Sequence, residues 1–179
     1  MALRKASSYS RKIVRPFTRK SGVKARAYIK AVPPSKIVKF NMGDISGSNQ
    51  GKHEFIVRLL AEEKAQVRDN ALESCRMFVN KDMDKFAPGT YYLAVKVYPH
   101  NILRENKTAA GAGADRLSSG MKHSYGVTMG RAAIVNPGKE IFTVTCTNEK
   151  SARIARAALQ KIKSKLPCRS KIVFGKMIN

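Results

Sequence analysis

The sequence predicts an α+β fold in which two helices lie on one face of a mixed, mostly antiparallel sheet. Three observations lead there. Short runs of alternating apolar and polar residues recur along the chain, and two longer segments carry apolar residues at helical spacing. The order is strand, strand, helix, strand, a long loop, then strand, strand, helix, strand. Laying both helices on one face of a sheet is the economical packing of that order. At 179 residues the chain is one ordinary domain or a domain with a tail.

Ile37–Met42 and His53–Ala61 alternate as strands. Gln66–Met83 reads as a helix, with Val67, Ala71, Cys75 and Phe78 on one face and Leu72 and Val79 beside them. Cys75 is there a small buried hydrophobe. Pro88-Gly89 turns the chain into a strand, residues 90–99, whose Tyr91, Leu93, Val95 and Val97 face the core. Tyr92, Lys96 and Tyr98 share the other side, which is either open to nucleic acid or an ordinary half-buried sheet face. After the loop, Arg131–Val135 is a strand, Asn136-Pro137-Gly138 a turn, and Glu140–Cys146 a strand that alternates Ile141, Thr143 and Thr145 against Phe142, Val144 and Cys146. Asn148 caps the second helix, Ala155, Ala158, Leu159, Ile162 and Leu166 form its apolar stripe, and Pro167 ends it. Its other face carries Lys150, Arg153, Arg156, Lys161, Lys163 and Lys165, and Ser170–Lys176 returns as a strand.

A net charge of +23 and a pI near 10.4 mean that the chain repels itself unless an anionic partner neutralises it. Residues 1–43 hold twelve Lys or Arg and no acid, whereas Glu54–Asp84 holds seven acids against five bases and faces solvent or a neighbouring basic protein. The last thirty residues return to nine bases and no acid. Basicity spread along a folded chain favours nucleic acid over a membrane or an acidic protein. In the first segment Arg15, Arg19, Lys20, Lys24 and Arg26 interleave with Phe17, Tyr28, Ile29 and Val32. That mixture suits an RNA-bound extension; the alternative is a solvated arm. The first residues are rich in Arg and Ser as in a transit peptide, but Pro16 and the turn after it interrupt an amphipathic helix.

Cys75, Cys146 and Cys168 are odd in number and widely spaced, which indicates neither a zinc site nor a disulfide framework and points to a reducing, intracellular compartment. No apolar run reaches the length of a membrane helix, about 18 residues. No cofactor is expected. His53, His100 and His123 lack metal-ligand spacing and are expected as surface or RNA-contacting side chains.

Glu105–Gly126 is the anomaly, a long stretch whose first half has almost no side chain large enough to build a core. Loops of this length are functional or disordered. Gly111 and Gly113 suggest a dinucleotide fingerprint, but Arg116 stands where its third glycine belongs, and there is no Walker lysine. Ser118, Ser119 and Ser124 near His123 do not make a triad by adjacency. The chain is therefore not expected to be an enzyme. What remains is a nearly neutral tip on basic roots, Arg104 and Lys107 on one side and Arg116 and Lys122 on the other, followed by His123 and Tyr125.

The run from Val97 to Gly126, above all Ala112-Gly113-Ala114-Asp115-Arg116-Leu117, Gly120-Met121 and Gly126, closely resembles the signature of the large-subunit ribosomal protein family L-ten-e, archaeal and eukaryotic counterpart of bacterial L-sixteen. The resemblance extends over nearly the whole chain, and its form is archaeal rather than bacterial. Lys122 stands where the family has arginine and Tyr125 where it has phenylalanine, which keeps charge and ring but not a bidentate phosphate contact.

The resemblance implies an α/β-hammerhead-like two-layer sandwich, with residues 1–36 as a basic rRNA-binding extension and 37–179 as a single domain with an inserted loop at about 105–126. It implies a structural, non-catalytic place in the cytoplasmic ribosome, binding large-subunit rRNA at the base of the central protuberance beside the A-site tRNA channel. Arg4, Lys5, Arg11, Lys12, Arg15, Arg19, Lys20, Lys24, Arg26 and Lys36, with Arg153, Arg156, Lys161 and Lys163, would meet rRNA. Lys107, Thr108, Gly111, Gly113, Asp115, Arg116, Lys122, His123 and Tyr125 would face the peptidyl-transferase centre and the A-site and P-site tRNA, on a loop disordered away from the ribosome. Neighbouring ribosomal proteins and assembly factors are the further partners implied, with entry late in subunit assembly; no membrane or small-molecule substrate is expected. The rival reading is a free-standing basic RNA-binding regulator.

Overall fold

The computed structural model describes residues 7–10, 23, 25, 29–105, 111–113, 116 and 126–177. Arg4, Lys5, Arg11, Lys12, Arg15, Arg19, Lys20, Lys24 and Arg26 lie outside the described residues, as do Lys107, Thr108, Asp115, Lys122, His123 and Tyr125.

The described elements are β1 (Asn41–Gly43), α1 (Ile45–Asn49), β2 (Phe55–Ala61), β3 (Ala65–Arg68), α2 (Asp69–Phe86), β4 (Tyr91–Val95), β5 (Asn101–Glu105), β6 (Val127–Val135), β7 (Glu140–Cys146), α3 (Glu149–Ile162), a 3-10 turn (Lys163–Lys165) and β8 (Ser170–Lys176). They form an α+β structure with two sheets, not the single mixed sheet expected. Five strands run in the order β1-β4-β7-β2-β8 and three in the order β3-β6-β5, and every described pairing is antiparallel.

Alternation builds the core of the larger sheet. Met42 pairs with Leu93, Leu93 with Val144, Val144 with Val57 and Val57 with Phe174, so one row of apolar side chains crosses all five strands. Leu93, Val144 and Val57 are fully buried, while Phe174 at the open edge is not. Ala155, Ala158, Leu159 and Ile162 of α3 complete the same core as the helical spacing predicts, and so do Leu72, Cys75 and Val79 of α2, but Ala71 and Phe78, expected on that face, are half-buried at its margin and Met83 is buried instead. Asn148 stands at the N-cap of α3, but its side chain makes no capping bond.

Four expectations are corrected. Gln66–Arg68 is strand, not the first turn of a helix. Val67 and Ala71 stand at helical spacing, but pairing with Ala132, Ala133 and Ile134 of β6 overrides local periodicity. Asn101–Glu105 is an additional strand, so the loop joins the two strands of a β5–β6 hairpin whose last pair among the described residues is Glu105 with Val127. Residues 37–40 have no regular secondary structure, and strand begins only at Asn41. A third, short helix, α1, follows β1, with the Asp44 carboxylate accepting the Gly47 N–H at 2.8 Å.

His53 is also not at the surface. It is fully buried, its Nδ1 lies 2.7 Å from the Thr145 hydroxyl, and its Nε2 faces Asp44 Oδ2 at 3.6 Å. The loop after α1 thus closes onto the C-terminal end of β7 through one imidazole.

Candidate nucleic-acid interface

The segment leading to Phe40 lies across the smaller sheet and is held by its backbone. Thr128 Oγ1 donates to the Ala31 carbonyl at 3.0 Å, Arg131 Nε to the Pro33 carbonyl at 2.7 Å, and Val95 N–H to the Phe40 carbonyl at 2.8 Å. The Lys36 N–H donates to Asp69 Oδ2 at 3.0 Å, and the other oxygen of this buried carboxylate accepts the Asn70 N–H at 2.8 Å. Ile29 and Ile37 are the buried anchors. Because main chain makes these bonds, the side chains of Lys30, Lys36 and Lys39 stay exposed.

Residues 7–10 dock similarly on the outer edge of β3. Gln66 donates its backbone N–H to the Ser10 carbonyl at 3.0 Å and its side-chain amide to the Tyr9 carbonyl at 2.9 Å. The buried Gln66 oxygen accepts from Asn101 of β5, across the sheet. An edge strand is thereby closed by the chain's own N-terminal segment.

The basic face of α3 is partly neutralised within the molecule. Arg153 pairs with Glu149 one turn earlier at 2.7 Å. Lys161 pairs with Asp82 of α2 at 3.1 Å, and Lys161 and Lys165 both lie over the Phe78 ring, at 5.8 and 4.6 Å from its centre. Arg156 is exposed and pairs with no acid among the described residues. Lys163 is half-buried in the 3-10 turn. Exposed pairs of this kind are worth at most about 1 kcal/mol, so their cations remain available to a polyanion.

The structure does not bring the two basic regions together. Segment 29–40 is bonded to β6, β4 and the start of α2, whereas α3 packs on α2, β2, β7 and β8. A cavity of about 180 Å³ beside Lys36 is lined mainly by Pro33, Pro34, Asp69, Leu103, Met129 and Gly130, where the extension, α2 and the roots of the hairpin meet. At the hairpin tip, Gly111 and Gly113 are exposed, have φ of +118° and +77°, and have nothing within 4 Å of where a Cβ would stand. Glycine is the residue that adopts such angles without strain. Arg116 is exposed, and its N–H donates to the Gly113 carbonyl at 3.1 Å.

Sequence reasoning missed Asp69, Gln66 and Arg131, which hold the extension. A buried Asp at a helix start is a weak signal by itself, and Arg131 gives none. Among the described residues no group of three His, Cys, Asp or Glu is placed to hold a metal, and no helix is long and apolar enough to cross a membrane.

Comparison with known proteins agrees with the resemblance. The family model described as ribosomal protein L16p/L10e matches residues 15–173. A relative from Methanococcus aeolicus, the large ribosomal subunit protein uL16, is 42% identical over 178 residues, covering 98% of this chain and 96% of its own. The protein of the same name from Staphylothermus marinus is 41% identical over 97% of this chain and 94% of its own. That from Methanococcus maripaludis is 43% identical over 98% and 96%.

Proposed function

Because the chain belongs to the ribosomal protein L16p/L10e family, we propose that it is a structural, non-enzymatic constituent of the large subunit of the cytoplasmic ribosome, built to neutralise rRNA phosphates. The observation that carries this is how the extension is held: Lys36 gives its N–H to Asp69 while its ammonium stays exposed. Main chain serves the fold, and the cations are left for a polyanion.

The finer reading follows the family resemblance. Residues 1–36 are an rRNA-binding extension of a single domain, 37–179, with a hammerhead-like arrangement; the small sheet set beside the larger one supports that arrangement. The protein sits near the A-site tRNA channel and the central protuberance. Its loop of about 105–126 points toward the peptidyl-transferase centre and helps position A-site and P-site tRNA, and the protein joins late in assembly, beside assembly factors and neighbouring ribosomal proteins. The exposed glycines at the hairpin tip support a loop built for close approach to another surface. Of the described cations expected at rRNA, Lys36 and Arg156 are exposed, Lys163 is half-buried, and Arg153 and Lys161 share their charge with acids.

Sedimentation of a cell extract on a sucrose gradient tests the reading. Co-migration with large subunits and whole ribosomes through a high-salt wash is expected; a position at the top of the gradient would favour the free-standing RNA-binding regulator. For the finer claim, deletion of Thr108–Ala114 should spare rRNA binding and impair tRNA placement or subunit maturation. Normal tRNA placement and maturation in the deletion would overturn it.

A further inference from the structure

Three rings stand in a row where β4 runs into β5. Phe40 and Tyr98 stack with centroids 5.4 Å apart and planes 27° from parallel, and Tyr98 meets His100 at 4.7 Å and 52°. Aromatic clusters usually close a core, but here Tyr98 is 44% exposed, His100 is exposed and Phe40 is half-buried.

The row is preformed. The Phe40 carbonyl accepts the Val95 N–H, and the His100 N–H donates to the Tyr98 carbonyl at 2.9 Å, a tight turn about Pro99, whose ring fixes φ. Arg131 Nη1 lies 3.4 Å from the Tyr98 hydroxyl, while its Nε is held on the Pro33 carbonyl. A guanidinium is thus fixed at the edge of an exposed ring.

The surroundings are cationic. Lys39 precedes Phe40, Lys96 lies two residues before Tyr98, and both are exposed. Neither stretch that supplies the row, residues 29–43 or 85–104, contains an acid. An acidic protein segment would use the lysines and leave the ring faces idle. A single-stranded nucleic acid uses both, because bases stack on rings while cations follow the backbone.

We propose that Phe40, Tyr98 and His100 form a stacking site for an unpaired nucleobase of RNA, with Arg131, Lys39 and Lys96 meeting the adjacent phosphates. The inference rests on the rRNA-binding reading and names a site within it. Because Tyr98 is held between Phe40 and His100, the base stacks at the open His100 end of the row, which Tyr98 backs, and this stacking contributes about tenfold in affinity.

The test uses the full chain, a labelled oligouridine of about twelve nucleotides and an RNA duplex of similar charge, followed by fluorescence anisotropy. Tyr98→Ala should weaken oligouridine binding about tenfold and leave duplex binding within about twofold, whereas Tyr98→Phe, which keeps the ring, should bind oligouridine like the wild type. Ultraviolet crosslinking of the unaltered protein to oligouridine, mapped by mass spectrometry, should mark Tyr98 or His100, and it guards against an alanine variant that fails to fold. Unchanged oligouridine binding in a folded Tyr98→Ala, or crosslinks confined to other residues, would overturn the site while leaving rRNA binding intact. Failure of the unaltered protein to bind either RNA would instead overturn the reading beneath it.

Discussion

Lys36 and Asp69 are joined by a single hydrogen bond, the Lys36 N–H donating to Asp69 Oδ2 at 3.0 Å, and it ties the basic extension to the first residue of α2. Asp69 is buried, so its carboxylate depends on these protein donors for solvation. Asp69→Ala should therefore destabilise the fold by about 1–3 kcal/mol and also weaken RNA binding, because the extension loses its anchor. Urea denaturation and an RNA titration measure the two effects, and an unchanged urea midpoint would show that the bond contributes nothing.

Gly43 connects β1 to the turn before α1 with φ of +87°, and a Cβ there would stand 2.3 Å from the Tyr91 carbonyl oxygen. That oxygen is backbone and also accepts the Asp44 N–H at 2.8 Å, so it cannot step aside. Gly43→Ala should cost about 2–4 kcal/mol, from strain plus overpacking. Gly89→Ala, with φ of +68° but nothing within 4 Å, should cost only the strain, about 1–2 kcal/mol. Paired thermal melts of the two variants give the difference.

Asp44 is held below the usual carboxylate range, first by the Gly47 N–H, against the opposing effect of burial, and with further help from His53 and Lys52. The unfolded chain therefore binds the proton at higher pH than the folded one, and stability falls as pH drops between the two values. As pH falls from about 5 through the usual carboxylate range and below it, the wild type should lose stability more steeply than Asp44→Asn. Parallel urea midpoints that stay equally spaced over that range would contradict the assignment.

Burial pushes the thiols of Cys75 and Cys146 up to about 12 and that of Cys168 up to about 11. Thiolate is the reactive form. At about pH 8 the native protein should resist alkylation at all three sites and react fully once denatured, with Cys168 the first to label on partial unfolding. Mass spectrometry after iodoacetamide treatment reads this, and rapid labelling of the native protein would show that one of these sites opens.

Arg156 has no acidic partner among the described residues, whereas Lys161 is paired with Asp82. If α3 lies on RNA, Arg156→Gln should lower the salt dependence of binding by about 0.9 in the log–log slope, the value for one released counterion. Lys161→Gln should lower it less. Equal effects would mean that Asp82 releases its lysine on binding.

The residues themselves determined the helix faces, the strand alternation, the turns at Gly89 and Gly138, the charge partition and the family signature. These are local periodicities and compositions, and they survive without knowledge of the fold. Gln66–Arg68 misled because Val67, Ala71 and Cys75 have helical spacing whether or not Val67 is in the helix; only pairing with β6 decides. Asn101–Glu105 offers only two adjacent apolar residues, Ile102 and Leu103, and no alternation, and it is a strand because β6 lies beside it. The burial of His53 on Thr145 spans ninety-two positions, and the stack of Phe40 on Tyr98 brings together residues from separate segments. Which cations keep their full charge was decided in the same way, since Asp82 reaches Lys161 only when α2 packs on α3. Hydrogen-bond ladders, burial and ion pairs between distant residues depend on the closed chain, and for this protein they, not local pattern, set the anchors of the extension and the exposed rings beside it.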